Sequence, residues 1–239
     1  MKDVAVIRTG TANLASVLAG LRRAQCKPVL VDDPKRVTSA DYVVLPGVGA
    51  FAAIMDQLRS RRLVDAIRER IVEARPTLTI CLGLQVLGSS SEESPGTDGI
   101  GAFDAHVSRF GITVRVPQLG WNCIHPASDC QFLTEGYGYF ANSYRLTEIP
   151  EGWTGAKADY GGSFVAAIER GPILACQFHP ELSGKWGASL IERWLGVKRE
   201  AESCGPLESF LVLIVGMAGS SRVLIFRVCG MQAAQSNYL

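Results

Sequence analysis

Cys81 closes the apolar, β-branched run Thr77-Leu78-Thr79-Ile80 and is followed by Leu82-Gly83-Leu84-Gln85, which opens an apolar helical turn. A strand-to-helix elbow of this kind exposes a nucleophile and sets it at a helix N-terminus, where aligned amides favour the thiolate. In Gln177-Phe178-His179-Pro180-Glu181, His179 and Glu181 flank Pro180. In extended geometry their side chains leave on the same side. A carboxylate beside an imidazole holds the tautomer that accepts a proton from a thiol and returns it to a leaving amine. Cys81, His179 and Glu181 are therefore a candidate acyl-transfer triad.

A third segment, Leu45-Pro46-Gly47-Val48-Gly49, ends a different predicted strand. Ligands bind at that edge of an open α/β sheet. Gly47 and Gly49, on either side of Val48, let the backbone turn amides toward the oxyanion of a tetrahedral intermediate, with the Leu82 amide as second donor. Taken singly, each segment is ordinary. A cysteine after a buried strand is usually a small hydrophobe, and a Pro-Gly loop is usually only a loop. Their weight comes from three complementary roles falling at predicted strand ends.

The elements that would position them alternate. Val4 to Ile7 reads as a strand, and Leu14, Val17, Leu18 and Leu21 have helical spacing. Val29 to Val31 and Tyr42 to Leu45 read as buried strands, Leu63, Ile67 and Ile71 as a helical face, and Thr77 to Ile80 as another strand. This order predicts an α/β fold: an open, mostly parallel sheet with helices on both faces. From about Gly101 to Ser143, short stretches broken by Gly, Pro and Asn predict a small antiparallel insertion. Strands return at Phe164 to Ile168 and Ile173 to Phe178, and a last helix carries Leu190, Ile191, Trp194 and Leu195. The domain is expected to span 1–197, with 198–239 as a C-terminal tail outside it. The apolar runs of that tail, FLVLIVG and VLIF, fall well short of the roughly 18–20 residues that cross a bilayer.

With 239 residues and a formal net charge of +1, the chain has room for one sizeable core and no long-range field to gather nucleic acid or an anionic membrane. Its seven cysteines are scattered, without a Cys-X-X-Cys pair or a Cys/His cluster at zinc-ligand spacing. They predict a reducing, cytoplasmic setting and no metal. The opening MKDVAVIRTG has too short an apolar run for a signal peptide.

With these residues in hand, the chain resembles the class I glutamine amidotransferases, and among them the glutaminase subunits of imidazole glycerol phosphate synthase in histidine biosynthesis. The resemblance covers about residues 4–197. It rests on TGTANLASV, LPGVGAFAAIMDQL, ICLGLQVLGSSSEES, QLGWN, YFANSY, DYGGSFVAA and QFHPELSG. It implies a flavodoxin-like fold and attack by Cys81 on the glutamine amide, with His179 as acid/base and Glu181 as its orienter. L-glutamine would be held near Gly49, Gln85, Glu93 and Ser143. It further implies no cofactor and a heterodimer with a (β/α)₈ cyclase subunit, which uses the ammonia to turn PRFAR into imidazole glycerol phosphate and AICAR. Three positions depart from the family pattern. Thr79 stands for a glycine expected to leave room beside the oxyanion loop, Asn142 for a histidine, and Leu182 for a basic residue expected to meet the cyclase.

Overall fold

The computed structural model describes residues 1–10 and 13–197 in full, and two later strands, 210–217 and 220–227, as backbone. The resemblance segment TGTANLASV thus lies partly outside the described residues, as do Cys204, Cys229 and most of the tail. The chain divides into two units, Met1–Lys198 and Arg199–Leu239.

In the first unit the elements are β1 (Lys2–Ile7), α1 (Leu14–Arg23), β2 (Cys26–Val31), α2 (Pro34–Ser39), β3 (Tyr42–Gly47), α3 (Phe51–Ser60), α4 (Leu63–Val72), β4 (Thr77–Cys81), α5 (Leu82–Gln85), β5 (Ser90–Ser91), β6 (His106–Arg109), β7 (Gln118–Pro126), β8 (Gly136–Asn142), β9 (Tyr144–Arg145), β10 (Thr154–Asp159), β11 (Ser163–Arg170), β12 (Ile173–Cys176) and α6 (Gly184–Leu195), with a 3₁₀ turn at Pro180–Leu182. The second unit shows an antiparallel pair, β13 (Phe210–Met217) with β14 (Ser220–Arg227), in the two apolar runs of the tail.

One nine-stranded sheet, ordered β2-β1-β3-β4-β12-β11-β10-β7-β8, forms the frame. From β2 to β12 the pairings are parallel, and from β11 to β8 antiparallel. The expected insertion is therefore no separate layer: its hairpin β7–β8 continues the main sheet, while β5, β6 and β9 form a small sheet of their own. Because β3, β4 and β12 are adjacent and parallel, their carboxyl ends share one edge, with Gly47 in register with Cys81. That adjacency joins the three motifs, which are far apart in sequence.

Apolar clusters fill both faces. On one, Val17 and Leu21 of α1 and Leu190, Ile191 and Trp194 of α6 pack with Val6, Val44, Leu78 and Ile80. On the other, Phe51, Ile54 and Leu58 of α3 and Ile67 and Ile71 of α4 pack with Leu45, Ile173 and Ala175. Each fully buried aliphatic or aromatic side chain contributes about 1.5–3 kcal/mol. Arg70 of α4, wholly buried, fixes the opposite ends of the same strands. Its guanidinium donates to the carbonyls of Ala40 (2.7 Å) and Pro76 (2.7 Å) and to Thr77 Oγ1 (3.3 Å).

Candidate active site

Cys81 has φ 54° and ψ −111°, a backbone conformation that L residues seldom adopt. Such strain costs about 1–3 kcal/mol and persists only where its surroundings impose it. Here β4 is locked between β3 and β12, and the chain must turn at once into α5. The elbow does not open the thiol to bulk solvent as expected: Cys81 is only 6% exposed and faces a cavity. Nor is α5 a long dipole. It is a single turn, Leu82–Gln85, so what it offers is its unpaired first amides rather than a macrodipole.

His179 follows β12, and its amide donates to the Tyr139 carbonyl of β8 (2.9 Å). Its Nδ1 lies 2.9 Å from Glu181 Oε1, and its ring and the Cys81 thiol line the same cavity. The two side chains meet not through extended geometry but because Glu181 sits in the 3₁₀ turn begun by Pro180. Ser183 ties this turn down: its hydroxyl donates to the His179 carbonyl (2.6 Å) and accepts the Tyr139 amide (3.0 Å). Arg23 of α1 donates to the Glu181 carbonyl (2.9 Å).

Burial by itself lowers the pKa of His179, but its interactions with Cys81 and Glu181 outweigh it and raise the imidazole to about 10. The ring is thus held as a proton store between a thiol and a carboxylate. Burial pushes Cys26 and Cys130 up to about 11 and Cys176 well above the ordinary range, so they are poor nucleophiles.

The cavity at Cys81 measures about 240 Å³ and is lined by Val48, Gly49, Leu82, Gln85, Glu93, Ala141, Asn142, Ser143, Tyr144 and His179. This is below the roughly 300–1,000 Å³ typical of drug-sized ligands and suits an amino acid. A larger cleft, about 360 Å³, is lined by Asp129, Glu169 and Arg170 but by no cysteine or histidine. Of the residues expected to bind substrate, Val48, Gly49, Leu82, Gln85, Glu93 and Ser143 all meet at Cys81. Gly47 does not line this cavity: it borders a small cleft behind it with Pro46, Ile80 and Glu181. Gly49 has φ 99°, which a side chain would strain, and makes the turn between β3 and α3.

Two residues serve the architecture in ways sequence reasoning did not foresee. Glu93 Oε2 accepts the amide of Phe51 (2.7 Å) and Ser94 Oγ that of Ala52 (3.2 Å). Together they cap α3, whose own N-cap, Ala50, has no side chain to do so. Gln85 Nε2 donates both to the Tyr144 carbonyl (3.0 Å) and to Gln177 Oε1 (2.9 Å), and Gln177 Nε2 in turn reaches Cys81 Sγ (3.6 Å). Gln177, fully buried, was passed over although it stands two residues before His179. A polar amide at the end of an apolar run that leads into the acid/base histidine was the available signal.

A buried cysteine, histidine and glutamate at the carboxyl edge of an α/β sheet, beside an amino-acid-sized cavity, define a cysteine-dependent amidotransferase or hydrolase. The glutamine amidotransferase class-I family model matches residues 6–195. The imidazole glycerol phosphate synthase subunit HisH of Escherichia coli K12 is 40% identical over 200 residues, covering 81% of this chain and 98% of that protein. The imidazole glycerol phosphate synthase hisHF, chloroplastic, of Arabidopsis thaliana is 38% identical over 205 residues, covering 83% of this chain and 35% of the plant protein. A solved glutamine amidotransferase superposes with a TM-score of 0.65 at 20% identity, covering 81% of this chain and 97% of the other, which supports the fold. The chain belongs to the class I glutamine amidotransferases, and within them to the HisH subunits of imidazole glycerol phosphate synthase.

Proposed function

We propose that the chain is the glutaminase of an imidazole glycerol phosphate synthase, with Cys81, His179 and Glu181 as its catalytic residues. The observation that carries this reading is the His179–Glu181 pair, 2.9 Å apart, with His179 and Cys81 together at the wall of the 240 Å³ cavity. The Cys81 sulfur attacks the carboxamide carbon of glutamine as the thiol's proton passes to His179, and the carbonyl π bond opens to an oxyanion. Amides of Val48 or Gly49 and of Leu82 receive that charge; those of Val48 and Gly49 have no protein partner among the described residues. His179 gives its proton to the nitrogen as the C–N bond breaks, releasing ammonia and leaving a glutamyl thioester. Water then attacks the thioester, His179 takes its proton, and glutamate leaves as the thiol is restored. Glu181 keeps Nδ1 engaged, so that Nε2 performs both transfers. Glu93 and Ser143, with Gln85 behind them, shape the place of the amino-acid end.

The ammonia is used by a cyclase partner, a (β/α)₈ subunit of the same synthase, in the cytoplasm. In support, the hisHF match covers 35% of a single polypeptide that bears the name of the whole synthase. The partner docks on the outer face of the β7–β8 hairpin, where Leu119 (64% exposed), Trp121 (57%) and Tyr137 (60%) stand with Leu182 (40%) as an uncovered apolar patch. Leu182, in place of a basic residue, makes this contact apolar rather than ionic. No helix among the described residues is long and apolar enough to cross a membrane.

The test is glutamate release by the purified full chain, alone and with a cyclase subunit and its nucleotide substrate. Release that rises with the partner and vanishes in Cys81→Ala supports the proposal. No release from protein that binds the cyclase and keeps Cys81 reduced refutes it.

A further inference from the structure

We propose that Cys123, His125 and Glu135 form a zinc-binding site on the outer face of the β7–β8 hairpin. One donor atom from each, a thiol sulfur, an imidazole nitrogen and a carboxylate oxygen, lies within 4.8 Å of the other two. The group departs from the expectation of no zinc-ligand cluster because strand pairing, not a knuckle or helix, unites it. Cys123 and His125 are alternate residues of β7 and so share a face. In the antiparallel register Ile124 pairs with Gly136, which brings Glu135, just before β8, opposite His125.

The ligand backbones are already fixed. β7 is paired on both sides, with β8 and with β10, and the Glu135 carbonyl accepts the Trp186 indole N–H (3.2 Å). Among the described residues none of the three side chains has a hydrogen bond or ion pair that binding a metal would have to break. Lys157 of β10, in register with His125, is engaged by Glu148 at 3.3 Å.

A tetrahedral zinc ion with bonds of roughly 2.0–2.3 Å needs donor atoms about 3.5 Å apart, so rotation of exposed His125 and Glu135 about their side-chain bonds closes the set. Water takes the open fourth position. Thiolate with imidazole and carboxylate is a zinc-type donor set, whereas magnesium and calcium sites are built of oxygen. The site shares its strand face with Trp121 and Tyr137, and it closes the turn end of a hairpin whose other end, at Asn142, reaches the Cys81 cavity. Zinc would brace that hairpin. This inference is independent of the glutaminase reading.

The experiment uses the full chain carrying Cys81→Ala, which removes the catalytic thiol and imidazole as a competing ligand pair. Titration with Co²⁺ should give a thiolate-to-cobalt charge-transfer band with tetrahedral d–d absorption, and Zn²⁺ should displace it. Adding Cys123→Ser should abolish the band, and His125→Gln or Glu135→Gln should weaken Zn²⁺ by at least about tenfold, the low end of what even a supporting group costs. Circular dichroism of each variant reports its fold, and with two ligand variants besides Cys123→Ser, one misfolded protein does not remove the test. Absence of the band, its persistence in Cys123→Ser, or unchanged Zn²⁺ affinity in folded His125→Gln and Glu135→Gln would overturn the proposal.

Discussion

Replacing Thr79 by valine should stabilise the protein. Thr79 is completely buried in β4, in register with Leu45 on one side and Ala175 on the other, both members of the α3/α4-facing apolar cluster. Its hydroxyl has no partner among the described residues. A buried donor left unpaired costs about 1–3 kcal/mol, and valine has the shape of threonine with a methyl in place of that hydroxyl. Thr79→Val should therefore add about 1–2 kcal/mol, or about 2–8 °C in thermal midpoint for a domain of this size. Urea unfolding followed by tryptophan fluorescence measures it, with the slope m unchanged. Thr79→Gly, the residue the family pattern leads one to expect, should instead lose about 1–3 kcal/mol, because it leaves a small cavity and frees the strand backbone. Turnover of the valine variant should match the parent, since the side chain lies within the sheet core rather than in the cavity at Cys81. A valine variant less stable than the parent would show that the hydroxyl is satisfied. A glycine variant that is both as stable and faster would show that crowding of the elbow, not an unpaired hydroxyl, is what Thr79 costs.

Gln177→Leu removes the amide that reaches Cys81 Sγ. Hydrogen bonds to charged groups are worth about 1.5–3 kcal/mol, so alkylation of Cys81 by a glutamine-like electrophile should slow about tenfold or more, with little change in glutamine KM. Glu181→Gln removes one of the groups that raise His179 to about 10. Because the folded value lies above the unfolded one, about 6.5, the stabilisation is complete below pH 6.5 and is lost as pH rises toward 10. The stability gap between parent and variant should therefore be largest near pH 6 and close by pH 10; denaturant unfolding across that window decides, and a gap that widens with pH refutes the sign. At Gly20 an added Cβ would lie 2.7 Å from Glu181 Cβ and 3.2 Å from its Cα. Gly20→Ala should thus displace Glu181 and lower kcat while leaving circular dichroism unchanged, and full activity would show that the 3₁₀ turn yields freely.

Much of this was legible because it rests on local signals. The β-branched run into Cys81, the glycines about Val48 and the rigid Pro180 each constrain their own few residues, and alternation of strands with helical faces fixes a parallel sheet. What was not legible depends on partners distant in sequence. Nothing in the Gly101–Ser143 stretch says that β7–β8 extends the main sheet, since the edge it joins is formed by β10, whose residues come later. The same-face rule for an extended chain placed Glu181 beside His179 for a reason that the 3₁₀ turn replaces.

Glu93 shows how a residue can be rightly located yet only half understood. The family resemblance places it near the bound glutamine, and its side chain does line the cavity. Its Oε2 also holds the first amide of α3, a helix that begins two residues after Gly49. One carboxylate thus touches both the Cys81 cavity and the helix that follows the Val48–Gly49 turn. A ligand group that draws on Glu93 must weaken or strengthen its grip on Phe51, and by reciprocity the conformation of the Val48–Gly49 turn must alter affinity at Glu93. The segment Ser91-Glu92-Glu93-Ser94 is therefore better understood as the strut between the Cys81 cavity and the Val48–Gly49 turn than as a wall of the pocket.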